Sequence, residues 1–399
     1  MADTPTWFRV VVACGVLVRL YLCLFTEGTY DVNIWEKHAD RVAQVGVIAY
    51  YHENEEANHP PFISKVMSYV LLASKASRIP FRVLERLPFA VIDAGTLWLL
   101  LAVLKGCERG LWIAAAYWLH PLAVIYSSYH GNTDSSLPFF VLLAAWLITR
   151  KQTAWAAVVA GASLWIKLPA VVALPALLIL IDGWRDRVRF AAVAGATAIA
   201  TYLPALAIDA KIVIANVFGY HGQFIETTGG VSIWGWYRVL MPMVVASPEW
   251  LETPPRVVQL LVLRGYGIAL ALNLLVVWRR RNLRTLPEVC ATIAMGYTLI
   301  YGISETWAFQ YFAWSVPFWC FMPLWFFVAA TALAGGYIYF LYAYLCGSPW
   351  LAGAWDFIGH PLWPAHVVAL RDLAVGFFLV TAIWIAITAR LPQPASPKR

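Results

Sequence analysis

Residues 8–26 read FRVVVACGVLVRLYLCLFT, and after a short polar turn residues 30–35 read YDVNIW. An apolar run of this length is sufficient to cross a bilayer as an α-helix. It carries Arg19 near its middle and no small-residue cleavage pattern follows it, so the run predicts a retained membrane span and not a signal peptide. The chain therefore leaves its first predicted span through a segment of polar and aromatic residues.

The composition of the whole chain points the same way. Of the 399 residues, 61% are hydrophobic and only 13% are charged. Soluble domains average about 45–50% apolar and about 25% charged residues, so a soluble enzyme is excluded, and a disordered chain is excluded as well. The 21 Trp and 19 Tyr residues suit a membrane protein, in which amphipathic aromatic rings concentrate at the interfaces.

The rest of the sequence predicts an all-α fold, a polytopic transmembrane helical bundle of about 12 spans. Each candidate is a run of mostly apolar residues, and Pro169 divides the pair at 153–181. The candidate spans are 8–26, 87–104, 110–127, 136–149, 153–167, 168–181, 190–208, 257–278, 285–303, 310–332, 335–346 and 371–389.

The placement of Lys and Arg predicts the orientation of this bundle. With the N-terminus in the cytoplasm, basic residues concentrate in the cytoplasmic loops, and the short opposite connections at 128–135, 304–309 and 347–370 contain none. Such a bias is the topology signal of membrane proteins. The formal charge of +7 is therefore explained by orientation, which argues against a nucleic-acid-binding surface and predicts that both termini are cytoplasmic. The six Cys residues avoid the outer loops, so we expect neither a disulfide framework nor a Cys metal site.

The long outer segment 27–86 predicts two amphipathic helices at the membrane surface. Apolar residues recur at helical spacing over 32–46, and Asn-His-Pro-Pro at 58–61 precedes a second such pattern. Asp31 lies where the first span leaves the bilayer, so partial desolvation is expected to raise its pKa and suit it to general-base catalysis. The alternative role is an N-cap for the helix that follows, since Asp is a favoured cap residue.

Two residues of opposite charge lie at a similar depth in the first two predicted spans. Arg19 and Asp93 are each roughly six or seven residues from the outer end of their span, which is roughly 10 Å deep. An unpaired charge at such a depth costs about 2.5–3.5 kcal/mol. We therefore predict an Arg19–Asp93 ion pair that orients the start of the first outer segment.

The order of these features resembles the GT-C superfamily of integral-membrane glycosyltransferases, which use polyprenyl-phosphate sugars. The resemblance covers roughly residues 8–330, and Asp93 within the second span belongs to it. The motifs HGNTDS and WIKLP are similar to those of the mannosyl- and glucosyltransferase branches. The motifs that carry the resemblance are YDVNIW at 30–35, HPP at 59–61, HGNTDS at 130–135, WIKLP at 165–169, GGVSIW at 229–234 and SETWAFQY at 304–311.

The resemblance implies an inverting glycosyltransferase at the outer (periplasmic or luminal) membrane face. It would move a hexose from a polyprenyl-phosphate donor to a lipid-linked or glycan acceptor. The implied catalytic module covers residues 1–334, including the outer segments 27–86 and 209–256. C-terminal spans and a short basic cytoplasmic tail follow over 335–399.

The resemblance also implies roles for individual residues. Asp31 would remove the proton of the acceptor hydroxyl, which attacks the anomeric carbon while polyprenyl phosphate leaves. The donor's phosphate and sugar would contact Lys167, His130, Trp234, Glu305 and Gln310, and the acceptor would contact Asp134, His59 and Trp35. Structural roles stay open beside these: a snorkelling Lys167, a satisfied loop His130, a helix cap at Asp134 and a polar turn at 305–310.

No metal or other cofactor is expected. Asp31-Val32-Asn33 offers one acid and one amide, too few hard oxygen ligands for Mg²⁺ or Mn²⁺. The late motif at 304–310 also lacks the basic residue that several branches of the superfamily carry there.

Two other function classes stay open at this point. A transporter or lipid flippase is the first, although no inverted repeat is visible and the polar candidates cluster toward one face, which favours an enzyme. The second is another membrane-embedded transferase, such as an acyltransferase that uses His130 or His221.

Overall fold

The computed structural model of the protein describes residues 4–55, 57–219, 236–237, 239–240, 255–304, 308–355 and 364–390. All regular secondary structure in these ranges is helical, which confirms the predicted all-α class. Three residues discussed above, His221, Trp234 and Glu305, lie outside the described residues.

The N-terminal helices form the outer segment 27–86 and the surroundings of the two motifs HGNTDS and WIKLP. They are α1 (Thr6–Phe25), α2 (Tyr30–Val45), α3 (Val47–Glu53), α4 (Pro61–Ser77), α5 (Phe81–Val103), α6 (Gly110–Trp118), α7 (Pro121–Ile125), α8 (Leu137–Thr149), α9 (Thr153–Ser163), α10 (Leu174–Leu177), α11 (Trp184–Ala200) and α12 (Leu203–Val213). Short π- and 3₁₀-helical turns connect several of them, at Tyr126–His130, Thr133–Ser136, Leu168–Val172, Leu178–Leu180 and Ile214–Phe218.

The C-terminal helices pack around one buried helix. They are α13 (Arg256–Arg279), α14 (Leu286–Ile303), α15 (Val316–Trp319), α16 (Leu324–Ala330), α17 (Gly336–Leu345) and α18 (Ala365–Thr388), with a 3₁₀ turn at Phe309–Trp314 and a π turn at Thr331–Gly335. A capping box between Thr285 and Glu288 starts α14, which is buried along most of its length between α13 and α18.

The protein is a multi-pass membrane protein, but the expected total of about 12 spans is not confirmed. Among the described residues, six helices are long and apolar enough to cross a membrane, and the bent pair Trp184–Ala200 and Leu203–Phe218 would make a seventh. Several predicted spans are instead short helices, because proline interrupts them or because the apolar run is brief. The candidates at 136–149, 153–167 and 168–181 correspond to Thr133–Thr149, Thr153–Ser163 and Leu168–Leu180, and Pro121 separates α6 from α7.

The two amphipathic helices of the outer segment are present as α2 and α4. Their starts at Tyr30 and Pro61 agree with the sequence patterns, and proline occupies the first position of α4. The helices pack on each other through a small apolar cluster that includes Trp35, Ile63 and Met67. This packing fixes the direction in which α2 leaves the end of α1.

The ion pair expected between Arg19 and Asp93 joins α1 to α5. Arg19 Nη2 and Nε lie 2.6 and 2.8 Å from Asp93 Oδ2, and both side chains are buried. Tyr117 and Ser127 also donate to the Asp93 carboxylate, and the Arg19 guanidinium lies 3.6 Å from the ring centroid of Trp118. Each charge is therefore fully engaged, as buried ionised groups require.

A second buried arginine, which sequence reasoning missed, secures the end of α1. Arg86 on α5 donates from Nη2 to the carbonyl oxygens of Thr26 and Cys23 at 2.7 and 3.0 Å. Its Nη1 lies 3.1 Å from Thr26 Oγ1. These bonds satisfy carbonyl groups that the last turn of a helix leaves unpaired, and they hold the chain where it enters α2.

Candidate active site

Asp31 lies in the first turn of α2. Thr29 holds the N-cap position, so Asp31 does not cap this helix and the alternative role considered for it is not found. Thr29 Oγ1 donates to the carbonyl oxygen of His130 at 3.0 Å, which ties the start of α2 to the HGNTDS motif. Gly28 has φ +85°, and a Cβ there would lie 2.9 Å from the carbonyl oxygen of Tyr129, so the close approach of these two segments requires glycine.

The Asp31 carboxylate faces His130 across this junction. Its Oδ2 lies 3.1 Å from His130 Nε2 and accepts a hydrogen bond from Asn132 Nδ2 at 3.4 Å. His130 is fully buried, and its Nδ1 lies 2.7 Å from the hydroxyl of Tyr342 on α17. We assign a proton to His130 Nε2, because this proton can be donated to the Asp31 carboxylate. The Asp31 side chain is still 32% exposed, so the carboxylate is held in place and remains accessible.

The electrostatic surroundings of Asp31 correct the expectation of a raised pKa. Burial does act to raise the pKa of this carboxyl, but His130 acts against it through its charge and its hydrogen bond, and Lys167 and Asn132 add to that effect. The result is a pKa below the usual 3.8. The sequence indicated partial burial but could not reveal the partner. Asp31 is consequently ionised throughout the neutral pH range.

Lys167 lies in an extended break between α9 and the 3₁₀ turn that follows it. Its Nζ lies 3.3 Å from Asp134 Oδ2, and Trp314 Nε1 donates to Asp134 Oδ1 at 2.5 Å. The Asp134 side chain is 1% exposed and that of Lys167 is 14% exposed. The ammonium group is thus paired with a buried carboxylate and is not displayed at a helix end as in a snorkelling lysine. Asn132, and not Asp134, caps the turn at Thr133–Ser136.

The other described residues that were predicted for the site take no part in these two ion pairs. Trp35 is buried between α2 and α4 and packs against His59, with ring centroids 4.2 Å apart. The buried Oε1 of Gln310 has no hydrogen-bond partner among the described residues, and Gln310 belongs to the 3₁₀ turn that carries Trp314. The expected contacts of these residues with donor or acceptor stay predictions.

Two histidines of the outer segment are held neutral by their surroundings. Burial lowers the pKa of His38 to about 4, and burial together with Lys167 and His38 lowers the pKa of His59 well below its usual range. Their rings lie 6.1 Å apart between centroids, beside Trp35 and Tyr50. Neither imidazole therefore supplies a positive charge to the site at neutral pH.

Three partners in this site were missed by sequence reasoning. Tyr342 lies in a predicted span, Trp314 lies just beyond the late motif, and Asn132 lies within HGNTDS but was not singled out. Of the three, only Asn132 could have been predicted from the sequence, because it lies between the predicted site residues His130 and Asp134. The other two are recruited by packing of the C-terminal helices, which no local pattern reports.

The arrangement offers few metal ligands. Within the described ranges, no group of three or more His, Cys, Asp or Glu side chains is arranged to hold a metal ion. We assign no residue to a metal or cofactor, and the expectation that none is needed stays a prediction.

An apolar cavity of about 170 Å³ lies between α4 and α5, next to this cluster. Ile166, the residue before Lys167, closes one side of it, and Glu85 and Ser136 are the polar residues among its lining. Its apolar lining residues are Phe62, Ile63, Val66, Met67, Val70, Leu84, Pro88, Phe89, Ile92 and Ile166.

Comparison with known families identifies the family of the chain. The model of glycosyltransferase family 87 matches residues 60–302, more than half of the chain, and the match includes His130, Asp134 and Lys167. A comparison with curated proteins finds no match. The family is one of GT-C-type membrane glycosyltransferases, which confirms the resemblance seen in the sequence, while the branch stays a prediction. The chain belongs to glycosyltransferase family 87.

Proposed function

We propose that this glycosyltransferase moves a hexose from a polyprenyl-phosphate donor to a lipid-linked or glycan acceptor, with inversion at the anomeric carbon. The reaction would take place at the outer membrane face, with both termini in the cytoplasm. The observation that carries the proposal is the position of the Asp31 carboxylate. It is ionised and accessible, it is paired with His130, and it lies beside the buried Lys167–Asp134 pair.

Asp31 is the proposed general base. Its carboxylate takes the proton of the acceptor hydroxyl, the acceptor oxygen bonds to the anomeric carbon, and the bond from that carbon to the phosphate oxygen breaks. A carboxylate ionised at neutral pH is available for this step in every turnover. His130 is a positioning residue in this scheme, because its Nε2–H fixes the carboxylate and Tyr342 fixes the imidazole.

Lys167 is the proposed contact for the departing phosphate. Negative charge develops on the leaving oxygen, and a pre-positioned ammonium group stabilises it most effectively where water is largely excluded. Asp134 and Trp314 hold Lys167 in place, so Asp134 would support the site through the lysine rather than by touching the acceptor.

The apolar cavity supports a lipid-linked donor. It lies between α4 and α5 and reaches Ile166, so the start of a lipid chain in it would place the polar end close to Lys167. A water-soluble sugar nucleotide would leave these apolar surfaces without a partner.

The test is turnover by the purified protein with a panel of polyprenyl-phosphate hexoses and pentoses, followed by mass spectrometry of each donor. We expect one hexose donor to be consumed and a matched nucleotide-sugar donor to be left intact. Nuclear magnetic resonance of the product would show the anomeric configuration opposite to that of the donor. Consumption of the nucleotide sugar, or retention of configuration, would contradict the proposal.

A further inference from the structure

Glu85 is a buried carboxyl that neither the fold nor the proposed reaction uses. It lies on α5 and is 1% exposed, and neither of its carboxyl oxygens has a hydrogen-bond partner among the described residues. A buried carboxyl without a partner is destabilising by the cost of removing it from water. Such groups in native proteins call for an explanation, and a binding role is a common one.

The neighbouring arginine does not provide the missing partner. The guanidinium of Arg86 donates to the carbonyl oxygens of Cys23 and Thr26 and to the Thr26 hydroxyl, on the side where α1 ends. These hydrogen bonds of Arg86 therefore go to the end of α1. Glu85, the preceding residue of α5, has none of them.

The position of Glu85 links the catalytic cluster to the apolar cavity. Gly131, between His130 and Asn132, approaches it so closely that a Cβ on Gly131 would lie 3.2 Å from Glu85 Oε2. On its other side Glu85 lines the cavity between α4 and α5. The second polar residue of that lining, Ser136, already donates to the carbonyl oxygen of Thr133 at 2.7 Å. Glu85 is thus the uncommitted polar group of a lining that is otherwise apolar.

This combination defines the chemistry of a ligand. The apolar walls fit a hydrocarbon chain, and the carboxyl fits a hydrogen-bond donor at the polar end of that chain. We propose that Glu85 binds a hydroxyl group of a lipid-linked sugar, with the part of the lipid chain nearest the head group in this cavity. The inference rests on the proposed function and deepens it, because it names a residue that would contact the sugar of a lipid-linked substrate. The sugar belongs either to the donor or to the acceptor, and the experiment separates the two.

The test compares Glu85→Met with the wild type, using Glu55→Gln as a matched control that removes an exposed acid in the turn after α3. Glu85→Met should raise the KM of one lipid-linked substrate about 3- to 10-fold, the usual effect of losing one hydrogen bond. The substrate whose KM rises, donor or acceptor, identifies the source of the hydroxyl. The same variant should unfold at an equal or higher temperature, because it removes an unpaired buried carboxyl.

A second measurement depends on binding alone. Added polyprenyl-phosphate hexose, or lipid-linked acceptor, should raise the melting temperature of the wild type more than that of Glu85→Met. A deoxy analogue lacking the bound hydroxyl should shift both proteins equally. A stabilising effect without turnover would leave this inference standing and contradict the proposed function. A lower melting temperature of Glu85→Met with unchanged KM values and an unchanged ligand shift would assign Glu85 a structural role and overturn the inference.

Discussion

Two clusters of charged residues lie on α5 about 12 Å apart along its axis, and they are built differently. Around Asp93, Arg19 and the hydroxyls of Tyr117 and Ser127 occupy the carboxylate completely. Around Glu85, the neighbouring Asp31 is partly exposed and Glu85 itself has no partner among the described residues. The difference indicates that the first cluster holds helices together, while the second retains unused hydrogen-bonding capacity, as the proposed substrate site requires.

The largest expected effect on turnover is at Asp31, the proposed base. Asp31→Asn removes the proposed base with little change in shape, so sugar transfer should fall by about 10³-fold. Its unfolding free energy should fall by only about 1–2 kcal/mol, because the amide oxygen can still accept a hydrogen bond from His130. Donor consumption followed by mass spectrometry, with thermal unfolding in parallel, checks both values. Wild-type turnover in this variant would remove the assignment.

The opposite result is expected at the Arg19–Asp93 pair. Arg19→Met strands a buried carboxylate and should lower the unfolding free energy by about 3–5 kcal/mol. The double variant Arg19→Met/Asp93→Leu removes both charges and should recover much of that loss. Thermal unfolding in detergent measures the three proteins side by side. An Arg19→Met protein as stable as the wild type would show that the pair does not hold α1 and α5 together.

Lys167 is the proposed phosphate contact, so its substitution should affect turnover. Lys167→Met should reduce kcat/KM for the donor about 10- to 100-fold through the lost contact with phosphate. Trp314→Phe keeps the Lys167–Asp134 pair and removes one hydrogen bond to it, so it serves as the matched control with a loss of only about a few-fold. Equal losses in the two variants would place the function in the packing around Trp314 instead.

The smallest expected effect is on stability in acid. The pKa of His38 is lowered to about 4, whereas the unfolded chain protonates near 6.5. Below pH 6.5 the unfolded state therefore binds more protons than the folded state, which lowers the free energy of unfolding. This loss grows until the pH falls to about 4. His38→Phe should make thermal stability less dependent on pH between about 7 and 5, by about 1–2 kcal/mol. An unchanged pH dependence would place the titrating group elsewhere, with His59 as the next candidate.

The parts of the fold that depend on local pattern could be predicted from the sequence. The starts of α2 and α4 follow from helical spacing and from the proline at position 61. The Arg19–Asp93 pair follows from two charges at the same depth in neighbouring spans, because the membrane leaves an isolated charge few alternatives. The number of spans could not be predicted as well, since apolar composition does not distinguish a crossing helix from a short helix that ends at a proline such as Pro121 or Pro169.

The candidate site could be predicted only in part. Asp31, His130, Asp134 and Lys167 were all singled out. Their pairing could not be predicted, because contacts between residues far apart in the sequence depend on how the helices pack. The raised pKa expected for Asp31 was wrong for this reason. Glu85 was missed because a glutamate near the start of a span looks like an interfacial charge until its burial is known.

The pH dependence of sugar transfer tests whether a carboxylate kept ionised by His130 removes the acceptor proton. The pKa of Asp31 is below 3.8, so kcat/KM of the wild type should be flat from about pH 5 to 8. His130→Leu removes the group that most lowers this pKa, so it should bring an acidic limb into that range, while Tyr342→Phe should not. An acidic limb near pH 6–7 in the wild type would identify a histidine as the base and contradict the account.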